Sequence, residues 1–598
     1  VRRAHWLRPT KSAQYPRDIV VFDTETVPKI IDSVTTEQQL AFGWAARIEW
    51  AHEKSWTEPN WFRFTESIDL WRWLDNQCRA KRAVYVYCHN ANFDWQVTSM
   101  MRLLPELGWT ADATILEDPP NYFRWTKDGR TLKLLDTFNY WRVSVAALGE
   151  RLGLEKLPFP DDWSDPIVSD LYCRRDVEIL LQALVKWIAW LKDHQLGGLG
   201  ISLAQQAWKA YLYRFMDEPI YIDANEDALN LARDSYYGGR VECFRLNTQL
   251  HNVYCCDVNS MYPAIMHEHE FPTRLHGRYK RVSLDELSRW VNRYAVCARV
   301  LIQTDEPAYP ERTKDGLMFP LGEFVTTLCT PELQYALAHN HIRETYEAAI
   351  YDKARLFTRF IDTMYELRLQ FDALGDETAK YYTKIMMNSL YGKFGQRGIH
   401  EEIIGSCDPN ELYVETEIDL VSGKRYRNRH IAGLILSRSI EGESRYSHPA
   451  IAAHVTAHAR MMLYRLLWVA DPVDTFYMDT DSLHVNRSGF DRLLPYIDSE
   501  RLGALKLEKV INSAIYYGPK DYELDGMRVI KGIRKTATEL SPGVFSQDQW
   551  VSIRGAMLTG HGGGPLIRRV ERHLARQYSK GRVSSAGRVA PWYRHLFK

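Results

Sequence analysis

"YMDTDSLHV" (residues 477–485) sets Asp479 and Asp481 one residue apart in a stretch otherwise suited to a buried strand. Like charges at that spacing repel, and burial raises the cost of keeping both ionised. A third acid, Asp257 in "CCDVNSMYPAIM", lies over 200 residues upstream in a segment that reads as a strand followed by a turn or helix start. Between them comes "KIMMNSLYGKFG", where Lys384, Asn388 and Tyr391 fall at i, i+4 and i+7 and line one cationic, aromatic helix face. Taken alone, that segment also reads as a half-exposed amphipathic helix with Tyr391 in the core.

The chain has 598 residues, 45% hydrophobic and 25% charged, ordinary values for a folded protein with several hydrophobic cores. No uncharged apolar run approaches the roughly 18 residues of a spanning helix, and the start, "VRRAHWLRPTKSAQYPRD", has no apolar segment of the secretory kind. A cytoplasmic protein is expected. Nine cysteines are scattered without a CxxC framework, so neither a zinc site nor a disulfide scaffold is indicated. Lys plus Arg and Asp plus Glu both count 76, and the zero net charge says nothing for or against a nucleic-acid partner. The tail is locally cationic, with Arg568, Arg569, Arg572, Arg576, Lys580, Arg582, Arg588, Arg594 and Lys598 against Glu571; alone it reads as a solvated helix face.

"DIVVFDTETV" reads as a buried strand, "RAVYVYCHNANFDW" as a strand running into a turn, and "SDLYCRRDVEILLQALVKWIAWLK" as a helix, together a mixed α/β unit over roughly the first 195 residues. Residues 270–356 look like an inserted module. "FTRFIDTMYELRLQFDALGDETAKYYTKIMMNSLYGKFG" reads as two helices broken near Gly375, residues 397–449 as a small β-rich insertion, and "TAHARMMLYRLLWVA" as an amphipathic helix.

In "VVFDTETV", Asp23 and Glu25 project from one strand face. Asp94 ends "HNANFD", where Asn90 and Phe93 can fix its approach, and Tyr172 and Asp176 stack four apart on a helix. Each pair alone is ordinary. Together they supply four carboxylates and a phenol with no recurring His or Cys, a donor set for a hard cation such as Mg²⁺ or Mn²⁺. Two such ions can activate a water for phosphodiester hydrolysis, with Tyr172 orienting it. In order and spacing these segments resemble the three exonuclease motifs of proofreading DNA polymerases.

"DVNSMYPAIM", "KIMMNSLYG" and "YMDTDS" resemble motifs A, B and C of the family B DNA polymerases. "YYGGR" (236–240), "TAHAR" (456–460) and "KDY" (520–522) are similar to the protein-primed branch of that family, the small-phage replicases. The resemblance implies an α/β multidomain chain: an RNase H-like 3′–5′ exonuclease domain (1–198), palm (199–269 and 450–550), fingers (357–396), thumb (551–598), and two insertions (270–356 and 397–449) resembling terminal-protein regions 1 and 2. It implies two Mg²⁺ or Mn²⁺ ions per active site. Asp257, Val258 and Asp481 would hold one pair, with Asp479 beside them, and Asp23, Glu25, Asp94 and Asp176 the other. Lys384, helped by Arg368 and Lys380, would neutralise nucleotide phosphate; Tyr262 would exclude ribose; Asn388, Tyr391 and Gly392 would shape the base-pair pocket. Asn90, Phe93, Tyr236, Gly238, Gly239, Arg240, Thr456, Arg460, Lys520 and Tyr522 would contact DNA, Lys156 corresponds loosely to an exonuclease lysine, and the basic tail would grip duplex as a thumb.

The expected activity is DNA-dependent DNA synthesis with 3′–5′ proofreading, protein-primed and strand-displacing, by a monomer acting on primer-template DNA and dNTPs with a priming terminal protein, for a phage or mobile-element genome in a host cytoplasm. A primer-independent or nucleic-acid-primed family B polymerase is the alternative, and a nuclease or DNA-binding factor with an inactive polymerase half the more distant one.

Overall fold

The computed structural model describes residues 2–51, 55–117, 119–163, 165–314, 316–421, 425–439 and 443–594; Lys598 of the basic tail lies outside them. The strand Asp18–Ile30 contains four consecutive fully buried residues, Ile19 to Phe22. Successive side chains point to opposite faces. Ile19 and Val21 enter one core with the helix Pro166–Asp193, while Val20 and Phe22 enter another built on Trp71, Trp95 and Trp125. That 28-residue helix starts where the chain dictates, with Pro166 in its first turn and the Asp165 carboxylate accepting from the Ile167 N–H.

The strands Asp18–Ile30, Ala83–Cys88 and Arg130–Asp136 pair in parallel, and antiparallel strands flank them on both sides. Three of the ten strands in this sheet come from the far end of the chain: Thr538–Ser541, Val544–Trp550 and Leu566–His573. The last joins the strand Thr35–Glu49 through Leu566 opposite Glu37, Ile567 opposite Thr36 and Arg568 opposite Thr35. Residues 538–550, expected in the palm, therefore leave the palm sheet. The basic tail, read as a helix face, is instead a strand followed by an extended run. Its cations are largely engaged: Arg569 pairs with Asp548, Arg576 with Asp521 and Arg594 with Glu311. The run ends against the first insertion, where the Leu321 N–H donates to the Trp592 carbonyl and the Arg594 N–H to that of Leu321.

A second sheet of seven antiparallel strands occupies the place of the palm, in the order Val241–Cys243, Thr475–Asp479, Ser482–Val485, Leu250–Val258, Leu505–Gly518, Asp521–Leu524, Met527–Ile530. Residues 270–356 form a four-stranded antiparallel sheet with helices Leu284–Arg293 and Thr330–Ala338 around their own core. The helices Thr358–Ala373 and Glu377–Ser389 form a hairpin, turned at Gly375 (φ +69°) and restarted by Asp376, whose carboxylate accepts from the Ala379 N–H. Residues 400–439 form another four-stranded sheet that lies on the N-terminal domain: Leu412, Ile431 and Leu436 enter its core, and Glu401 accepts from Thr114 Oγ1 at 2.6 Å.

The helix Pro449–Ala470 departs from the amphipathic expectation. It is buried on nearly every side, because the first insertion's sheet covers the face that would otherwise meet water. Its one arginine at the centre, Arg460, is 2% exposed and pairs at 2.8 Å with Glu332, itself fully buried, on the insertion's helix. The guanidinium also donates to the carbonyls of Tyr237 and Gly238, both at 3.1 Å.

Removing one partner of a buried ion pair strands the other, at about 3–5 kcal/mol. Arg460→Met is expected to lower the denaturation midpoint by that much, and adding Glu332→Leu to recover most of it, both read by chemical denaturation. Equal destabilisation by the single and double variants would disprove the pairing.

Candidate active sites

The opening stretch folds as a hairpin in which Asp479 faces Ser482 and only Thr480 and Asp481 turn the chain. Two-residue hairpin turns need positive φ, which glycine adopts most easily. Thr480 takes φ +60° despite its branched Cβ. The conformation is held from outside: the Thr480 N–H donates to the Arg240 carbonyl at 2.8 Å, and its hydroxyl to Asp479 Oδ1 at 3.0 Å. A Cβ on Gly239 would sit 3.0 Å from the Thr480 side chain, so glycine is needed for this approach. "YYGGR" thus clamps the turn.

The turn delivers Asp481 to the neighbouring strand, where the Val258 N–H donates to the Asp481 carbonyl at 2.8 Å and Asp257 stands opposite Ser482. Burial lifts the Asp257 carboxyl to about 7, with Asp481 and Glu508 adding to the rise and Lys506 and Lys384 opposing it. Burial likewise raises Asp481, with Asp479 next in effect. Asp479 is held apart, accepting from the Tyr477 hydroxyl at 3.0 Å with Lys520 Nζ 3.6 Å away. Neither Glu508 nor Lys506, whose Nζ lies 3.7 Å from Asp257, belongs to a recognisable motif. Glu508 reaches the acids because the ladder slips there: Cys255 pairs with Lys509 but Cys256 with Leu507, leaving Glu508 as the extra residue of a bulge.

On the helical hairpin, Lys384 and Asn388 are exposed on one face, Asn388 Nδ2 donating to the Lys384 carbonyl at 2.9 Å. The Tyr391 ring stacks on Tyr262 at 4.8 Å. Arg368 donates to the Ser260 hydroxyl at 3.0 Å, beside the Asp257 strand. Lys380 is occupied by Asp372 and Glu377 in an exposed cluster, which a phosphate could displace at little cost. Gly392 has open space around its Cα.

Several expected DNA contacts are internal. Arg460 lies in the buried pair described above, and Thr456, 2% exposed, returns its hydroxyl to the Ala453 carbonyl. Arg240 is 1% exposed, paired with Glu242 and stacked over Phe319 at 3.9 Å. Arg460 and Arg240 thus hold the clamp from inside, Thr456 turns back onto its own helix, and Gly239 remains half-buried against Thr480. Val258 has a buried apolar side chain, so only its backbone could serve an ion. Tyr236 packs over Gly395, where a Cβ would come within 2.7 Å of its ring. Gly238 stays unobstructed. The Lys520 N–H donates to the Tyr477 hydroxyl at 3.1 Å, and Tyr522 meets the Tyr477 ring edge-on at 5.6 Å.

In the N-terminal domain, Asp23, Glu25, Asp94 and Asp176 come together from one strand and two helices. Burial raises Asp23 well above the usual carboxylate range, with Asp94, Asp176 and Glu25 adding to it. Glu25 is pushed up to about 8 and Asp94 to about 7, burial being the main cause in both; Thr24 Oγ1, donating to Asp94 at 2.7 Å, opposes it. Lys156 forms an ion pair with Asp176 and sits 4.3 Å from the Tyr172 ring centre, so the loosely matched lysine is in the site. Asp136, unmarked in the sequence, is a fifth buried acid; it accepts from the Asn90 N–H at 2.9 Å and thereby fixes the turn (Asn90 φ +61°) that leads into Asp94. Asn90, Phe93, Asp136 and Trp550 line a cleft of about 390 Å³, with Phe93 edge-on to Trp550 at 4.7 Å.

Residues 162–426 match the family model described as DNA polymerase type B, organellar and viral. Over that stretch, less than half of its length, the chain is similar to the type B DNA polymerases. A probable DNA polymerase of Neurospora intermedia is 25% identical over 366 residues, covering 59% of this chain and 37% of the relative. The DNA-directed DNA polymerase of Enterobacteria phage PRD1 is 26% identical over 298 residues, covering 49% and 50%. The chain thus spans about a third to a half of the length of these relatives. Phi29 DNA polymerase, solved with primer-template DNA, superposes with a TM-score of 0.67 at 17% identity, covering 94% of this chain and all of phi29 polymerase. The fold is therefore an N-terminal exonuclease-type domain followed by palm, fingers and thumb with insertions. No helix among the described residues is long and apolar enough to cross a membrane.

Raised folded-state pKa values mean that the folded chain binds more protons than the unfolded one between about pH 4 and 8, so stability falls as pH rises through that window. In EDTA, the denaturation midpoint is expected to drop between pH 5 and about 8.5, and millimolar Mg²⁺ to remove most of the drop. A midpoint independent of pH in EDTA would refute the clustering.

Proposed function

We propose that the protein is a DNA-directed DNA polymerase with a separate 3′–5′ exonuclease site. The reading rests on one observation above others: Asp257 and Asp481 converge on adjacent palm strands, while Asp23, Glu25, Asp94 and Asp176 form a second cluster in another domain. Both clusters fit hard divalent ions, because their donors are carboxylates that raise one another's pKa and a 2+ charge would relieve that repulsion. Cys173, whose sulfur lies 4.0 Å from Asp23 Oδ2, is a soft atom beside the cluster. When bound, the ions lower the pKa of an attacking hydroxyl or water and neutralise phosphate.

The chain's own groups do the rest. Asp257 and Asp481 would hold the palm ions, with Glu508 an acid of the same neighbourhood. Lys384, on the exposed face of the fingers, neutralises the triphosphate, helped by Arg368 and, once freed from Asp372, Lys380. Tyr262, braced by Tyr391, closes the space a 2′-hydroxyl would need, which favours dNTPs. Asp479, tied to Tyr477 and Lys520, steadies the primer end, with Tyr522 alongside. In the exonuclease domain Lys156 orients Asp176 and Tyr172, the phenol holds the attacking water, and Asn90 and Phe93 guide a frayed single strand along the cleft toward Asp94. The domain limits given by the resemblance carry over, except that the thumb begins near residue 538.

Asp481→Ala is expected to reduce primer extension by roughly a thousandfold, about 4 kcal/mol of transition-state stabilisation, and to leave single-strand degradation intact. Asp94→Ala should do the reverse. Loss of both activities in either variant would mean that the sites are not separate.

The insertions at 270–356 and 397–449 stand where the protein-primed branch carries its terminal-protein regions, which supports priming by a protein hydroxyl and strand displacement during replication of a phage or mobile-element genome. Supplying an origin end, the partner protein and labelled dNTPs is expected to give a nucleotide linked to that protein. Extension from a nucleic-acid primer with no labelled protein would support the alternative priming mode.

A further inference from the structure

Where the first insertion meets the long helix Pro449–Ala470, the core is made of small residues, among them Ala228, Ala232, Ala349, Ala453 and Ala457. Two thiols and an imidazole lie within it. Cys297 and Cys329 face each other in register across adjacent strands, and His454 enters from the helix. None of the three is more than 1% exposed. The two sulfurs and one imidazole nitrogen lie within 4.8 Å of one another.

The state of the imidazole follows from its partners. Nδ1 is 2.7 Å from the Ala450 carbonyl, which can only accept, so Nδ1 carries the proton and Nε2 offers its lone pair. A backbone carbonyl holding the remote N–H is the arrangement that orients a histidine bound to a metal. Ser235 Oγ donates to Cys297 Sγ at 3.5 Å, and Thr330 Oγ1 lies 3.0 Å from Nε2.

We propose that Cys297, Cys329 and His454 bind a structural Zn²⁺ ion, distinct from the hard-cation sites of the two carboxylate clusters. Thiolate and imidazole ligands select zinc over Mg²⁺ and Mn²⁺. Two thiolates and a neutral imidazole cancel the 2+ charge, so the occupied site is neutral, as a fully buried site must be. Each thiol gives up its proton when the ion binds. The Thr330 and Ser235 hydroxyls, beside Nε2 and the Cys297 sulfur, are neutral oxygens that could complete the ligand set. The ligands are far apart in sequence and show no CxxC spacing, which is why residue patterns alone point to no zinc site. A second group, Cys407, Glu411 and His430, is also close-set, but both His430 nitrogens already face carboxylates, Glu411 at 3.1 Å and Glu415 at 3.3 Å. The proposed ion would pin the insertion to the helix that leads into the catalytic hairpin.

The test uses the full chain expressed with added zinc and passed over a chelating resin, with metal content read by mass spectrometry. One zinc per chain is expected in the wild type and equally in Asp94→Ala and Asp481→Ala, whereas Cys329→Ser should lose it. His454→Ala, which removes the third ligand, should lose it as well. Cobalt-loaded protein should show thiolate-to-metal charge transfer in the near ultraviolet, absent from Cys329→Ser. Folded wild type holding no more zinc than Cys329→Ser would overturn the proposal, as would a Cys297–Cys329 disulfide found in the zinc-grown protein.

Discussion

Carboxylates forced together in a poorly solvated place push apart, and the palm is organised to resist that push. Asp257 and Asp481 belong to chain segments with no reason of their own to stay adjacent. What keeps them so is a tight turn with a threonine in an unfavourable backbone conformation, gripped by two backbone contacts and a glycine approach. Strain of this kind persists only where surrounding structure over-determines it. The surroundings here reach deep: the clamp's own carbonyls are held by Arg460, and Arg460 by Glu332 in the first insertion. The insertion is thus part of the support of the turn that carries Asp481.

The exonuclease-type cluster is built on the same logic with different parts. Its acids sit on one strand and two helices, and their repulsion is countered by Lys156 and by a hydrogen bond from Thr24, while Asp136 adds to it. The far end of the chain also reaches this cluster, because Phe93 and Gln96 beside Asp94 touch Trp550 and Val551 at the end of a hairpin in the same sheet.

Much of this was legible in the residues. Asp23, Glu25, Asp94, Asp176, Asp257, Asp479 and Asp481 stand in short motifs whose chemistry shows in their spacing, and Gly375 marks the break between two helices. What the sequence hid came from distant partners. Arg460, Thr456 and Arg240 look like DNA contacts because they are polar and sit in motifs, but nothing local reveals that they are buried, Arg460 against Glu332 and Arg240 against Phe319 of the first insertion. Glu508 and Asp136 were silent because a bulge and a strand end, not a spacing, bring them to their sites. The helix Pro449–Ala470 was misread as amphipathic for the same reason that the tail was misread as helical: the covering element lies elsewhere in the chain.

The three-residue pairing of Leu566–Arg568 with Thr35–Glu37 has an evolutionary consequence. The N-terminal domain is not a cassette that recombination could lift out whole, since cutting near residue 198 would leave a bare sheet edge with unpaired N–H and C=O groups, a template for aggregation. Change in its carboxylate cluster should therefore proceed by point substitutions within an intact sheet, and descendants that lose the acids should still carry the scaffold.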